Sequence, residues 1–417
     1  MTRTSPVDVV TDAAKTSALR LVLAQPLYKA ATLALFLSGL GISAAAPLIA
    51  SFLVTELGAS LPVAGLYYLT NLTAPIAGYV VGSRSDRSGK RLGLFRICAI
   101  AGFAGWMGIA FSTELWMPFV ISFVVLGFAG AATSQLFAAI HDQLAARPTS
   151  ANDGVVAIVR MALTAGWVIG PVLGSFLAAY AGFRAMFVVV AVATLAQIIP
   201  LGTLRGTPPA SAPEISALPP GAPPFRAMLP LLAFTALYVC VYAGESVKYA
   251  YLPLYMNEQL HLAPALSGAI IGIQPLVELA LMPLAVIFGR RIGMTRLMAI
   301  AAACGVAANI CFATTGTPAG LFAGQILMGA VWGVFAALGI IVAQRLLPAA
   351  VATASAIFLS STAVSSAIGG LAGGLGVAAI GLPLVFIIPA AFAAIAVIGL
   401  LVMDRREKSR QSVATSD

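Results

Sequence analysis

Charge is scarce in this chain. Of its 417 residues 9% are Asp, Glu, Lys or Arg, against about 25% in an ordinary soluble domain. Hydrophobic residues make up 60%, and the mean hydropathy is +1.00. A water-soluble fold covers its surface with polar groups, and 23 basic and 14 acidic side chains are too few to do so. The apolar surface must face a lipid bilayer. Histidine is confined to His141 and His261, and cysteine to Cys98, Cys240, Cys304 and Cys311. No CxxC or Cys/His spacing joins them, which excludes a zinc site or a disulfide framework and leaves the cysteines as small apolar packing residues. HExxH, GxSxG and P-loop patterns are absent too. Neither a metal nor a cofactor is expected, and a membrane enzyme or non-transporting receptor is disfavoured. Residues 1–27 carry Arg3, Asp8, Asp12, Lys15 and Arg20 without an apolar core, so they read as a cytoplasmic tail with a short interfacial helix rather than a signal peptide. Thr2 excludes myristoylation, and the final VATSD is not a prenylation box.

What is abundant is long apolar runs. A membrane helix needs about 20 apolar residues, and punctuation by charge, Pro and Gly gives twelve spans near 28–54, 61–82, 92–112, 116–140, 154–181, 184–204, 227–256, 264–289, 294–315, 318–346, 350–380 and 382–403. With a cytoplasmic N-terminus, all but three of the 23 basic residues fall in cytoplasmic segments. The exceptions are Arg184, Arg160 and Lys248. This asymmetry places both termini in the cytoplasm. It also accounts for the net charge of +9 without a nucleic-acid partner.

The Pro- and Ala-rich stretch 205–226 reads as a cytoplasmic linker between two six-span halves, 28–204 and 227–403, with a tail at 404–417. The halves echo one another: LPVAGLYYLTNLTAPIAGYVVGSRSDRSGKRLG parallels LSGAIIGIQPLVELALMPLAVIFGRRIGMTRLM. A parallel repeat implies two pseudo-symmetric bundles around a midplane cavity. The expected fold is therefore an all-α membrane protein of twelve transmembrane helices in two six-helix bundles.

Two motifs sharpen this reading. After the second span, Gly82, Asp86, Arg87, Gly89, Lys90 and Arg91 fit GxxxD(R/K)xG(R/K)(R/K). Gly82 suits close backbone approach, Asp86 suits the positive end of another helix dipole, and Arg87 suits Asp142 at the end of span four. Together they predict a conformational latch. In span five, Gly166, Gly170, Pro171 and Gly174 form GxxxGPxxG, a helix-packing face.

The first motif resembles the signature loop of the major facilitator superfamily, and the second resembles a pattern found in its exporters. PLIASFLVTELGASLPVAGLYYLTN, SQLFAAIHDQLA, VRMALTAGWVIGPVLG and YLPLYMNEQLHLAPALSGAIIG further resemble the bacterial sugar efflux transporters. That resemblance implies export of sugars or small glycosides in exchange for protons, from the bacterial inner membrane, by a monomer. A multidrug exporter of the same fold is the alternative, favoured if the cavity is aromatic with few hydrogen-bonding groups.

Ionisable residues in hydrocarbon are costly and mark function. Glu245 and Lys248 share one face of span seven at i,i+3, either as part of a proton switch or as a static pair. Glu278 lies mid-span without a basic residue on its own helix and is the stronger proton-coupling candidate. In the repeat alignment Asn71 falls opposite Gln274 or Glu278. Arg160 reads as structural, snorkelling to the cytoplasm or pairing with Asp142. Trp167, Trp332, Tyr249, Tyr67 and Asn257, with Asn71 and Gln274, are the candidate sugar contacts, because aromatic faces and amides suit a pyranose.

Overall fold

A computed structural model describes residues 18–146, 152–204 and 225–414. The helices follow the apolar runs: α1 (Pro26–Thr55, broken at 46–48), α2 (61–88), α3 (Arg91–Ala110), α4 (Trp116–Ala146), α5 (152–181), α6 (183–196), α7 (Phe225–Gln259), α8 (Pro264–Ile292), α9 (Met294–Thr314), α10 (Pro318–Leu346), α11 (Val351–Ile380) and α12 (Ile387–Ala414). Among the described residues ten stretches have the length and hydropathy of a membrane span. One of them turns back at Gly182, whose φ of 84° suits glycine, and so forms α5 and α6. Helix α2, tightened to 3-10 winding over Tyr67–Thr73, completes the twelve.

Local sequence sets the helix ends. Pro26, Pro62, Pro264 and Pro318 stand in first turns, where a missing N–H costs nothing. Thr317 caps α10 by accepting from the Gly320 N–H at 3.2 Å. Gly89 ends α2 in the left-handed region, φ 64°.

Successive helices alternate in direction, so the basic clusters at 84–96, 290–296 and 345 and on α12 share one side of the molecule. This side is the basic face. Large apolar side chains such as Ile97, Tyr180, Leu375 and Ile398 are exposed around the bundles, as a lipid-facing belt requires. The short helix Ala18–Ala24 buries Val22 in the core of the first bundle. Helix α12 continues to Ala414, beyond the expected end of the span at 403, because 404–410 contains good helix formers. The linker at 205–224 lies outside the described residues.

The bundles meet along two seams on the side away from the basic face. In the α5–α8 seam, a Cβ on Gly268 would stand 2.6 Å from Val172 Cα and 2.9 Å from Pro171 O, and one on Gly272 would stand 2.8 Å from Val168 O. In the α2–α11 seam, a Cβ on Gly65 would stand 2.9 Å from Gly370 O and 3.0 Å from Gly374 N. Backbones this close admit no side chain. Helix α11 packs on 61–73 of α2 and scarcely on 74–88, so the bundles part toward the basic face.

Candidate functional site

Helix α7 carries Tyr238, Tyr242, Glu245 and Tyr249 at spacings of four, three and four, which places them on one face. Burying Glu245 and Lys248, which are 7% and 1% exposed, requires partners. Lys248 Nζ donates to Glu245 Oε1 at 2.7 Å and also to Gln274 Oε1 on α8. Gln274 Nε2 donates to Glu245 Oε1 at 3.2 Å. From α10, Trp332 Nε1 donates to Glu245 Oε2 at 2.9 Å, and Tyr242 meets the Trp332 ring edge-on at 4.3 Å. Lys248 Nζ also stands 4.6 Å from the centre of the Tyr249 ring. Three helices thus converge on one carboxylate, and of the candidate sugar contacts Gln274, Tyr249 and Trp332 gather around it.

Glu278 lies one turn beyond Gln274 on α8, half-buried, within electrostatic reach of Glu245, Lys248 and Arg160. The α5–α8 register explains the last neighbour. Position 268 faces 172 and 272 faces 168, so 278 falls opposite the turn that contains Arg160. Arg160 itself is exposed, as a snorkelling side chain would be, and Asp142 is engaged by Arg91. Trp167 shares a face with Arg160 at i,i+7 and is half-buried.

Asn71 is exposed on α2, beside the α2–α11 seam. Its Nδ2 donates to Ser366 Oγ on α11 at 2.7 Å, and Ser366 stands 3.2 Å from Ser246 Oγ on α7. The α2–α11 and α5–α8 contacts are the equivalent pair that a parallel repeat of six helices implies, α2 corresponding to α8 and α11 to α5. Tyr251 on α7 adds a second bond across the bundles, donating to Leu61 O at 3.1 Å. Tyr67 is an internal link within the first bundle, its hydroxyl 2.5 Å from Ser122 Oγ on α4. Asn257 is exposed at the end of α7, where it lines a cleft of about 140 Å³ with Ser51, Ser175 and Ser267, away from the Glu245 cluster. A larger cleft of about 500 Å³ opens between α7 and α11, lined by Thr235, Val239, Ser360 and Ser361.

At the basic face Asp142 is bonded to Arg91 rather than to Arg87. Arg91, the first residue of α3, donates through Nε to Asp142 Oδ2 at 2.9 Å, and through one terminal nitrogen to Ser85 Oγ at 3.0 Å and to Asp86. Arg87 is exposed. Asp86 is held by Arg91, the first residue of α3, and Gly82 has no neighbour within 4 Å of its Cβ direction. The span-five motif packs as expected: Gly166, Gly170 and Gly174 lie on the α1 backbone at Phe36–Ala44, where Ser43 Oγ donates to Gly166 O at 3.2 Å. Pro171, on the other side of α5, meets Gly268 across the seam.

Sequence reasoning missed the seam glycines Gly65, Gly268, Gly272 and Gly370, the serines Ser246 and Ser366, and Gln325. Gln325 on α10 is fully buried, and neither atom of its amide has a partner among the described residues. Its position in an apolar run was a signal of the same kind that drew attention to Gln274.

Comparison with known proteins agrees with this architecture. The family model described as Major Facilitator Superfamily matches twice, at 31–237 and 234–417, once over each bundle. The chain is 27% identical over 350 residues to sugar efflux transporter A of Escherichia coli K12, covering 82% of this chain and 88% of the relative. It is 24% identical over 347 residues to sugar efflux transporter B of Salmonella typhimurium LT2, covering 82% and 86%. The crystal structure of nucleoside transporter NupG superposes with a TM-score of 0.72 at 15% identity, over 90% of this chain and 98% of that one. A peptide transporter POT in complex with sulfate gives 0.74 at 14%, over 91% and 94%. At these identities the two structures speak to the fold alone.

Proposed function

Because the chain belongs to the major facilitator superfamily, we propose that it is a secondary transporter exporting sugars or small glycosides from the bacterial cytoplasm in exchange for protons. The observation that carries this reading is the charged cluster of Glu245, Lys248, Gln274, Trp332 and Glu278 where α7, α8 and α10 converge. Its amide, phenol and indole groups suit a polyhydroxylated ligand better than a greasy cation, which favours sugars over the multidrug alternative. The names of the bacterial relatives point the same way.

In this reading the basic face is cytoplasmic, in keeping with the positive-inside rule, and the conformer opens toward the cytoplasm. Sugar enters between the bundles and contacts Tyr249, Gln274 and Trp332. Glu278, which lacks the tight cation partner that Glu245 has, carries the exchanged proton, and Arg160 is its counter-charge across the seam. Opening the α5–α8 and α2–α11 seams releases the sugar outside, while the Arg91 latch re-forms or breaks at the cytoplasmic face. One chain supplies every group, so a monomer suffices. Purified protein in liposomes with an imposed pH gradient tests the proposal. Labelled lactose, sucrose or glucose should move against the proton flux, and movement of cationic dyes alone would favour the alternative.

A further inference from the structure

Four polar side chains line the small cleft at the end of the molecule away from the basic face: Ser51 on α1, Ser175 on α5, Asn257 at the end of α7 and Ser267 at the start of α8. Two come from each bundle. Ser51 and Ser175 are each 6% exposed, and none of the four side chains makes a hydrogen bond among the described residues. Buried hydroxyls carry a desolvation penalty unless water or a ligand supplies their partners. No ionisable residue lines the cleft, so its chemistry suits a neutral ligand rich in hydroxyls and not an ion.

The cleft continues the α5–α8 seam outward. Ser267 precedes Gly268, which meets Val172, and Ser175 stands about one turn beyond Val172. Ser267 also lies seven residues, about 10 Å, from Gln274 on the same face of α8, and Gln274 belongs to the Glu245 cluster. Between them Ile271, 4% exposed, lines the cleft on the side of that cluster, so an apolar layer separates the two. Parting α5 from α8 moves Ser51 and Ser175 away from Asn257 and Ser267. It thereby widens the cleft and joins it to Gln274 past Ile271.

We infer that this cleft is a second sugar-binding site at the outer mouth, distinct from the Glu245 cluster, which substrate occupies on its way out. The three serine hydroxyls and the Asn257 amide exchange hydrogen bonds with sugar hydroxyls, and Ile271 is the plug between the two sites. This rests on the sugar-export reading above and adds where the substrate pauses before release.

The test reads the half-saturating concentration for exchange of labelled glucose, lactose and sucrose at each face separately, in right-side-out and inside-out vesicles. It compares the native chain with Ser175→Ala combined with Ser267→Ala, with Asn257→Leu and with Asn257→Gln, and thermal midpoints report folding. The outer-face value should rise about tenfold in the alanine pair and in Asn257→Leu, while the basic-face value stays within about twofold of native. Asn257→Gln, which keeps the amide, should recover part of the loss. Asn257 is exposed, so its variants cover the case in which the alanine pair does not fold. An outer-face value unchanged in every variant would overturn the assignment and make this a cleft filled by water alone. Equal changes at both faces would also overturn it, as a loss at the central site, and so would changes of opposite sign, as a shift in gating. A native chain that exchanges none of the three sugars would overturn the sugar reading itself, whereas native exchange that persists in the variants with both values unchanged overturns this inference alone.

Discussion

Trp332 donates its indole N–H to Glu245 across 2.9 Å, on the carboxylate oxygen that Lys248 does not use. One buried carboxylate thereby joins α10 to α7, and through Gln274 to α8. Its removal leaves Lys248, 1% exposed, without its charged partner. Breaking a buried pair from one side costs about 3–5 kcal/mol. Glu245→Gln should therefore lower the thermal midpoint markedly, and Glu245→Gln with Lys248→Met should regain most of the loss. A double variant as unstable as the single one would show that the pair is not the source of the effect.

At the basic face the stabilising residue should be Arg91 rather than Arg87. Arg91 bonds Asp142, Ser85 and Asp86 and is little exposed, whereas Arg87 is exposed. Arg91→Ala should lower stability by about 1–3 kcal/mol, as expected for a charged hydrogen-bonded group, and slow transport. Arg87→Ala should leave both nearly unchanged. Parallel unfolding and flux measurements decide between them, and a larger effect at Arg87 would contradict the geometry.

The seams predict a conformational phenotype. A leucine at Gly370 would push into Gly65 O and Tyr68 Cβ, the latter 2.9 Å from the added Cβ, and overpacking of this kind costs about 1–3 kcal/mol. Gly370→Leu should shift the population toward the state open at the opposite face. Spin labels at the outer ends of α2 and α11 should report longer distances, and an unchanged distribution would show that the seam tolerates the insertion.

Much of this was legible in sequence, and the rest was not for identifiable reasons. Hydropathy, charge asymmetry and the Pro-rich linker are read along the chain, so the twelve spans and the Gly166 packing face could be placed. Which side chain crosses to which helix depends on rotation and register. Spacing therefore named Asp142 as the acid beside the 82–91 loop but gave it Arg87, where the structure gives it Arg91. Gln325 escaped notice because an isolated amide in an apolar run gains meaning only when its burial is known.

Arg160 offers a prediction of its own. If it is the counter-charge of Glu278 across the α5–α8 seam, Arg160→Gln should reduce gradient-driven flux by about tenfold or more, a barrier change of about 1.4 kcal/mol. Arg160→Lys, which keeps the charge, should retain most of it. Equal losses in both variants, with normal stability, would point to a role for the guanidinium shape rather than its charge.

The central claim is that sugar leaves in exchange for a proton carried at Glu278. The most direct measurement is sugar flux in liposomes containing the native chain or Glu278→Gln, with and without an imposed pH gradient. The account predicts that the gradient drives sugar movement in the native chain and has no effect in Glu278→Gln, which still exchanges sugar for sugar because Gln keeps the shape and hydrogen bonding but cannot titrate. Undiminished gradient-driven sugar movement in Glu278→Gln would contradict it.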